Sequence, residues 1–155
     1  MNFRIQGLPV APFEPLYDLP DAALAGRGVR RCRVDRSPGF PCRVSLEDAA
    51  CGETVLLLNW EHLALATPYR SRHAIYVREH AAPASPPVNA VPQVLRRRLL
   101  SVRAFDAEGM MVDADVVEGC ALEAAIARLL GTPAAAFLHL HNAKPGCYAA
   151  RVDRA

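Results

Sequence analysis

The chain has 155 residues, of which 52% are hydrophobic and 22% are charged, an ordinary composition for a folded globular protein. Its formal net charge is only +2, which is too small for an obligate nucleic-acid-binding protein with a concentrated basic face. At this length we expect one domain over residues 1–155, with its own hydrophobic core.

The cysteines and the apolar runs bear on the cellular location that we expect for the protein. The five cysteines are odd in number and include no Cys-x-x-Cys pair, which argues against a disulfide framework and against a zinc ribbon. Charged residues at Arg4, Glu14 and Asp18 argue against a signal peptide. The longest strongly apolar run, Val55–Leu58, is far too short to cross a membrane. We therefore expect a cytoplasmic protein with free thiols, and we expect neither nucleic acid nor a membrane as its partner.

The first half of the chain alternates in the manner of short strands. Strands are predicted over Asn2–Leu8, Val29–Asp35, Phe40–Val44, Thr54–Trp60 and His73–Arg78. A short helix is predicted over Asp21–Ala25, and a capped helical turn is predicted to begin at Ser45. The most apolar of these strands begins at Thr54, so we expect it to be central in its sheet.

The second half combines short helices with hairpins. The predicted elements are a helix over Val91–Arg98, strands over Leu99–Phe105 and Met110–Val117, an amphipathic helix over Cys120–Leu130, and a final strand pair over Phe137–Asn142 and Tyr148–Val152. Asp106 and Gly109 suit a bulged type I turn between the first two of these strands. The sum predicts an α+β fold with a mainly antiparallel sheet and a few short helices.

Four stretches of the chain together resemble a known family. They are Phe40–Asp48, His73–Glu79, Arg103–Asp106 with Gly109–Met111, and His139 to the C-terminus. They resemble a bacterial family that is catalogued as the domain of unknown function numbered 1203, and the resemblance covers nearly the whole chain. It implies no activity, cofactor or catalytic residue, so candidate residues have to be found from their chemistry.

The richest stretch is Phe137–Val152, which contains His139 and His141. On a strand, two residues at this spacing share one face with Cα atoms roughly 6.6 Å apart. Two such imidazoles can converge on one metal ion, with His62, His73 or Cys147 as a third ligand. Because a His-x-His pair arises by chance in many strands, the sequence alone assigns no metal ligand.

Cys147 is a candidate nucleophile in the same stretch. A catalytic thiol needs a base, here His139 or His141, and N–H donors, which the turn at Gly146 can supply. If Asn142 pairs with Cys147, the thiol faces away from the two histidines. If Ala143 pairs with Cys147, the thiol shares their face. A buried, inert cysteine is the commoner case.

Two further groups have simpler structural interpretations. Asp113 and Asp115 share a strand face and invite an acid–base interpretation, but the predicted turn places Arg103 opposite Asp113, which favours an ordinary cross-strand ion pair. The three consecutive arginines of Arg96–Arg98 fan out over about 200° of a helix and are interpreted as a solvated surface.

A second candidate group lies around the loop that follows the most apolar strand. It consists of Asn59, His62, Tyr69, Arg70, Arg72, His73 and Arg78. Glu61 and Glu79 are available ion-pair partners if this segment is only a solvated loop. Binding residues gather at strand ends and in the loops that join them, and Arg and His donors suit a carboxylate or a phosphate.

The leading hypothesis joins the two groups into one site. His139, His141 and Asn142 would meet His62, Arg70 and His73 and bind a small anionic molecule. If the protein is an enzyme, a histidine would be its general base. A non-catalytic interaction or structural domain is the first alternative, and a mononuclear metal-binding protein is the second. The sequence indicates neither a cofactor nor an oligomeric state.

Overall fold

A computed structural model describes all of residues 1–155 and shows an α+β fold. The strands are β1 (Phe3–Gln6), β2 (Arg30–Arg33), β3 (Thr54–Leu63), β4 (Ser71–Arg78), β5 (Leu99–Phe105), β6 (Met111–Glu118), β7 (Phe137–Asn142) and β8 (Tyr148–Arg154). The helices are α1 (Asp21–Ala25), α2 (Gln93–Arg96) and α3 (Leu122–Leu130), with short 3-10 turns at Glu14–Leu16 and Gly119–Ala121.

The strands form two antiparallel sheets. One has five strands in the order β1-β8-β7-β5-β6, and the other has three in the order β2-β3-β4. The predicted fold class is therefore confirmed. Strand β3, which begins at Thr54, is the middle strand of the smaller sheet, as predicted, while the middle strand of the larger sheet is β7. The single domain predicted for residues 1–155 stays a prediction.

One face of the five-stranded sheet packs against α3. Helix residues at the spacing of a single stripe, such as Leu122, Ile126 and Leu129, are fully buried. They join alternate sheet residues, including Leu138 and Leu140 of β7, in the largest hydrophobic cluster. Burying each such side chain contributes about 1.5–3 kcal/mol to stability. This packing fixes which face of β7 is apolar.

The opposite face of the five-stranded sheet carries polar side chains. Because strand side chains alternate, His139 and His141 point away from the helix side that holds Leu138 and Leu140. The register places Ser101 of β5 opposite His141 and Arg103 opposite His139. Beside them, Leu63 at the end of β3 packs against Phe105 and Phe137. The end of β3 therefore lies against the polar face.

The three-stranded sheet has its own apolar partner. Leu56 and Leu58 of β3 and Ile75 of β4 pack against Phe13 and Leu24 from the proline-rich N-terminal segment. This second cluster holds β3 and β4 in place, so the residues at their ends are positioned by buried neighbours.

The strand predicted over Phe40–Val44 is not formed. Only isolated bridges occur there, between Pro41 and Asp48 and between Cys42 and Tyr76. The Cys42 N–H bonds to the carbonyl of Glu47, so the chain turns back on itself instead of extending along a neighbouring strand. The helical turn predicted from Ser45 is also absent, and the buried Ser45 hydroxyl caps no helix because it has no hydrogen-bond partner.

The partner predicted for Asp113 is also wrong. Strand β6 accommodates Val112 as an extra residue, so Ala104 lies opposite Asp113 and Arg103 lies opposite Ala114. Asp113 and Asp115 instead form ion pairs with Arg128 of α3, at 3.3 and 2.5 Å. The two carboxylates therefore form ordinary ion pairs, as predicted, but their cation is Arg128 and not Arg103.

None of the helices has the length and apolar character needed to span a membrane. All five cysteines are free thiols.

Candidate functional site: a histidine cluster beside a basic cleft

Four of the five histidines meet between the two sheets. His62 lies on β3 and His73 on β4, while His139 and His141 come from β7. The Nδ1 atoms of His62 and His139 are 3.2 Å apart, and His62 Nε2 lies 2.8 Å from His73 Nδ1. These contacts join residues separated by 77 and 11 positions in the chain. We call the four residues the histidine cluster.

Tyr148 of β8 closes one side of the cluster. Its buried ring stacks on His62, with centroids 4.9 Å apart and ring planes within 12°. The same ring meets His139 and His141 edge-on, at 5.1 and 5.9 Å. The aromatic ring therefore covers these three imidazoles on one side and shields them from solvent.

His141 is completely buried, and only one of its ring nitrogens has a partner. Its Nδ1 lies 2.9 Å from the carbonyl oxygen of Gly146. Because a carbonyl only accepts hydrogen bonds, Nδ1 carries the proton and Nε2 carries a lone pair. That Nε2 atom is buried and has no hydrogen-bond partner. Gly146 adopts φ +77°, a conformation that glycine allows readily, and so the turn sets the orientation of the His141 ring.

The cluster is electrically neutral at physiological pH. Burial lowers the pKa of His62 to about 4, that of His141 to about 3 and that of His139 to about 2. It also lowers the pKa of His73. The positive charge of nearby Arg103 acts in the same direction on all four imidazoles. The histidines therefore present lone pairs and not charges.

A cleft of about 790 Å³ opens next to the cluster. One wall comes from β3 and β4 and includes His73, and another comes from the turn that joins β7 to β8. Its polar and charged lining consists of Arg43, His73, Tyr76, Arg97, Arg98, Glu118, Asn142, Lys144 and Cys147. Glu118 is the only carboxylate among these residues, so the lining is predominantly basic.

Arg43 is a buried cation without a carboxylate partner. The side chain lies in the wall of the cleft, and the residue is only 2% exposed. Its guanidinium donates hydrogen bonds to the carbonyl oxygen of Tyr148 at 2.7 Å and to that of Pro41 at 2.5 Å. A third bond goes to the sulfur of Cys147 at 3.0 Å. Burial lowers the pKa of Arg43, but a guanidinium stays charged.

Cys147 faces the cleft and not the two histidines of β7. The Asn142 N–H bonds to the carbonyl of Cys147, so these two residues pair, the first of the two alternatives left open by the sequence. The Asn142 amide also donates to the Cys147 sulfur at 3.5 Å, while its Oδ1 is buried without a partner. The neighbours of the thiol are therefore Arg43 and Asn142.

The comparisons with known proteins give a family but no function. A family model described as "Protein of unknown function (DUF1203)" matches residues 39–154. The chain belongs to the DUF1203 family. No curated protein and no solved structure matches the chain. All the residues of the histidine cluster and of the polar cleft lining fall inside the part that matches DUF1203.

Three of the residues proposed from the sequence lie outside the cluster of this DUF1203 chain. Asn59 is exposed on β3. Tyr69 is exposed and meets the edge of Phe105 at 6.1 Å. The exposed Arg70 forms an ion pair with Glu61 at 2.6 Å and is thereby held away from the histidines. His62, His73, His139 and His141 are brought together, while Asn142 and Cys147 meet at the adjoining cleft.

The sequence assigned no role to Arg43, Tyr148 or Lys144, although Lys144 and Tyr148 lie in the stretch Phe137–Val152. A signal was present at Arg43, because a lone arginine stands between Cys42 and Val44 in a stretch that alternates like a buried strand. Arg97 and Arg98 are not merely a solvated surface, because both line the cleft and Arg98 pairs with the buried carboxylate of Asp48 at 2.5 Å.

Proposed function

We propose that this protein binds a small anionic ligand, a compound with a phosphate or carboxylate group, in the basic cleft. The observation that carries the proposal is the buried guanidinium of Arg43, whose hydrogen-bond partners include no carboxylate. A guanidinium has five N–H groups. Arg43 uses three of them within the protein, which leaves two for a ligand.

The energetics of burial favour an anion at this position. Removing a charge from water is costly unless an opposite charge or a full set of hydrogen bonds compensates it. The two carbonyls that Arg43 contacts are neutral and only partly compensate its charge. A bound carboxylate or phosphate would complete the compensation, and the planar fork of the guanidinium suits both groups.

The rest of the lining supports the same ligand class. Lys144, the only lysine of the chain, lies exposed on the turn that joins β7 to β8 and forms no ion pair within the protein. Arg97 and Arg98 share a single carboxylate, that of Asp48, so one positive charge of this pair is left over. An anion in the cleft would therefore meet three positive charges without an internal partner, those of Arg43, Lys144 and one arginine of the pair. The only negative charge in the lining is that of Glu118.

Cys147 gives the cleft a potential reactive group. A cation beside a cysteine is one of the environments in which thiols react as nucleophiles, and Arg43 contacts this sulfur directly. If the ligand is transformed, we propose Cys147 as the attacking atom, with Asn142 as a hydrogen-bond donor beside it. His139 and His141 are not its base in this arrangement, because the thiol faces away from them.

The alternative is a non-catalytic structural or interaction domain. In that case Arg43 would only tie the carbonyls of Pro41 and Tyr148 together, and the cleft would have no ligand. The observation that favours this alternative is the pair of short hydrogen bonds from the Arg43 guanidinium to the two backbone carbonyls. The two functions differ in what happens when an anion is added.

A thermal-shift series with inorganic phosphate, sulfate, citrate and chloride tests the proposal. We expect a polyvalent anion to raise the melting temperature, since a ligand at 100 times its Kd adds about 2.7 kcal/mol of stability. Lys144→Ala should weaken this response without changing the melting temperature of the free protein. Arg27→Ala is the matched control, because Arg27 is exposed and lies outside the cleft. Equal responses of the two variants, or no response to any anion, would favour the structural domain.

A further inference from the structure

We infer that His62, His73 and His141 form a mononuclear site for a divalent transition-metal ion. One ring nitrogen from each of these residues lies within 4.8 Å of the other two. The three residues come from three different strands, so the site is formed only when both sheets are in place. The inference is independent of the anion proposed above, since none of the three is needed to hold Arg43 or Lys144.

The separations of the nitrogens suit a metal ion. Zinc binds histidine nitrogens at about 2.0–2.1 Å, so two ligands are roughly 2.9 Å apart at a right angle and about 3.4 Å apart at a tetrahedral angle. The distance of 2.8 Å between His62 Nε2 and His73 Nδ1 is close to the first value. The outer limit of 4.8 Å requires the third ring to approach by no more than about 1.4 Å to reach tetrahedral spacing.

His141 provides the observation that favours a metal over a simple hydrogen-bond network. The pair formed by His62 and His73 can satisfy itself with one shared proton. His141 Nε2 has no such partner, although it is completely buried and carries a lone pair. Its other nitrogen, Nδ1, donates to the Gly146 carbonyl, and metal-bound histidines have this same arrangement of one ligating nitrogen and one N–H held by a carbonyl.

His139 completes the arrangement as a positioning residue. Its Nδ1 lies 3.2 Å from His62 Nδ1. When the Nδ1–H group of His62 donates a hydrogen bond to His139 Nδ1, the lone pair of His62 is on Nε2, the atom that faces His73. His62 and His141 are thus both oriented through Nδ1, one by a second imidazole and the other by a backbone carbonyl.

The ligand set indicates the class of metal. Neutral imidazoles bind Zn²⁺, Cu²⁺, Ni²⁺ and Fe²⁺ well, whereas Ca²⁺ and Mg²⁺ prefer oxygen. Three nitrogen ligands leave a fourth position of a tetrahedral zinc ion open, as in catalytic sites. No carboxylate belongs to the set, and Arg103 adds a further positive charge nearby, so the ion would favour an anion as its fourth ligand. His73 also lines the cleft and so connects the site to it.

Metal titration of tag-free protein stripped with a chelator tests the inference. Isothermal titration with Zn²⁺ and the visible spectrum of added Co²⁺ give stoichiometry and ligand geometry. We expect one ion per chain, and at least a tenfold loss of affinity in His73→Gln, whose partly exposed site tolerates substitution. His139→Gln should weaken metal binding, because His139 positions His62. The stoichiometry should stay at one ion per chain, because the glutamine can still accept a hydrogen bond from His62.

Two controls separate the possible outcomes. His80→Gln changes the fifth histidine, which is exposed and lies against Asp18, so it should bind metal like the unmodified protein. Lys144→Ala should weaken the response to anions and keep the metal, which separates failure of the anion site from failure of the metal site. Absence of Zn²⁺ binding, or equal affinities of His73→Gln and His80→Gln, would overturn the inference.

Discussion

The guanidinium of Arg43 lies 3.0 Å from the sulfur of Cys147, across 104 positions of the chain. Both residues line the same cleft, and Arg43 is the more deeply buried of the two. A buried cation is therefore in direct contact with a thiol that faces a basic opening. This relationship is the core of the proposed anion site.

Removing the guanidinium should reduce both stability and anion response. Arg43→Met fills a similar volume but leaves the carbonyls of Pro41 and Tyr148 without their donor, at a cost of about 1–3 kcal/mol for each unsatisfied group. We expect urea denaturation to show a loss of about 2–5 kcal/mol, and phosphate to have no further effect on the variant.

Arg43→Lys is the matched comparison for that variant. A lysine keeps the positive charge but cannot present a planar fork to three acceptors, so its free energy of unfolding should lie between those of Arg43→Met and the unmodified protein. If Arg43→Met is as stable as the unmodified protein, the hydrogen bonds of the guanidinium to Pro41 and Tyr148 do not stabilise the fold.

Acid should destabilise the metal-free protein through the histidine cluster. The folded-state pKa values of His139, about 2, and His141, about 3, are below the value of about 6.5 for an unfolded histidine. The unfolded chain therefore binds more protons below pH 6.5, and the stability present at neutral pH is lost as the pH falls toward these values. Each histidine contributes a slope of about 1.4 kcal/mol per pH unit.

The pH dependence can be measured as urea midpoints at several pH values between 7.5 and 4.5, with a chelator present. His139→Phe removes one of the titrating groups and should flatten the dependence, while His80→Gln, outside the cluster, should leave it unchanged. A midpoint that does not fall between pH 7.5 and pH 5 would contradict the neutral, buried state of these imidazoles.

Gly146 offers a test of whether the turn that joins β7 to β8 depends on a positive φ. Its φ of +77° strains other residues, although a Cβ atom there would meet nothing within 4 Å. Gly146→Ala should therefore cost about 1 kcal/mol through backbone strain alone, and Gly146→Asn should cost less because asparagine tolerates this conformation better. Equal stabilities of the three proteins in urea denaturation would show that the turn does not depend on this φ.

Local patterns predicted much of the fold and part of the site. The bounds of β5 and β7 match the predicted strands over Leu99–Phe105 and Phe137–Asn142, because each stretch alternates and is followed by a clear turn signal, Asp106–Gly109 or Pro145–Gly146. The period of two residues along a strand was enough to place His139 and His141 on one face. Both inferences rest on neighbours within a few residues.

The remaining features depend on contacts between distant segments. The meeting of His62 with His139 spans 77 positions, and no local pattern encodes it. The extra residue Val112 in β6 changed the partner of Asp113, and a single shift of this kind alters every pairing beyond it. The role of Arg43 could not be predicted, because its segment alternates like a strand in the sequence whereas the chain forms a turn there.

The charge selectivity of Cys147 alkylation tests the central claim most directly. Iodoacetate and iodoacetamide differ in charge and little in size, and mass spectrometry can follow each cysteine separately. The exposed Cys51 and Cys120 serve as internal references for a thiol outside the cleft. The ratio of the iodoacetate rate to the iodoacetamide rate should be several times higher at Cys147 than at either reference. Inorganic phosphate and Lys144→Ala should each lower that ratio, whereas equal ratios at all three cysteines would contradict an anion site in the cleft.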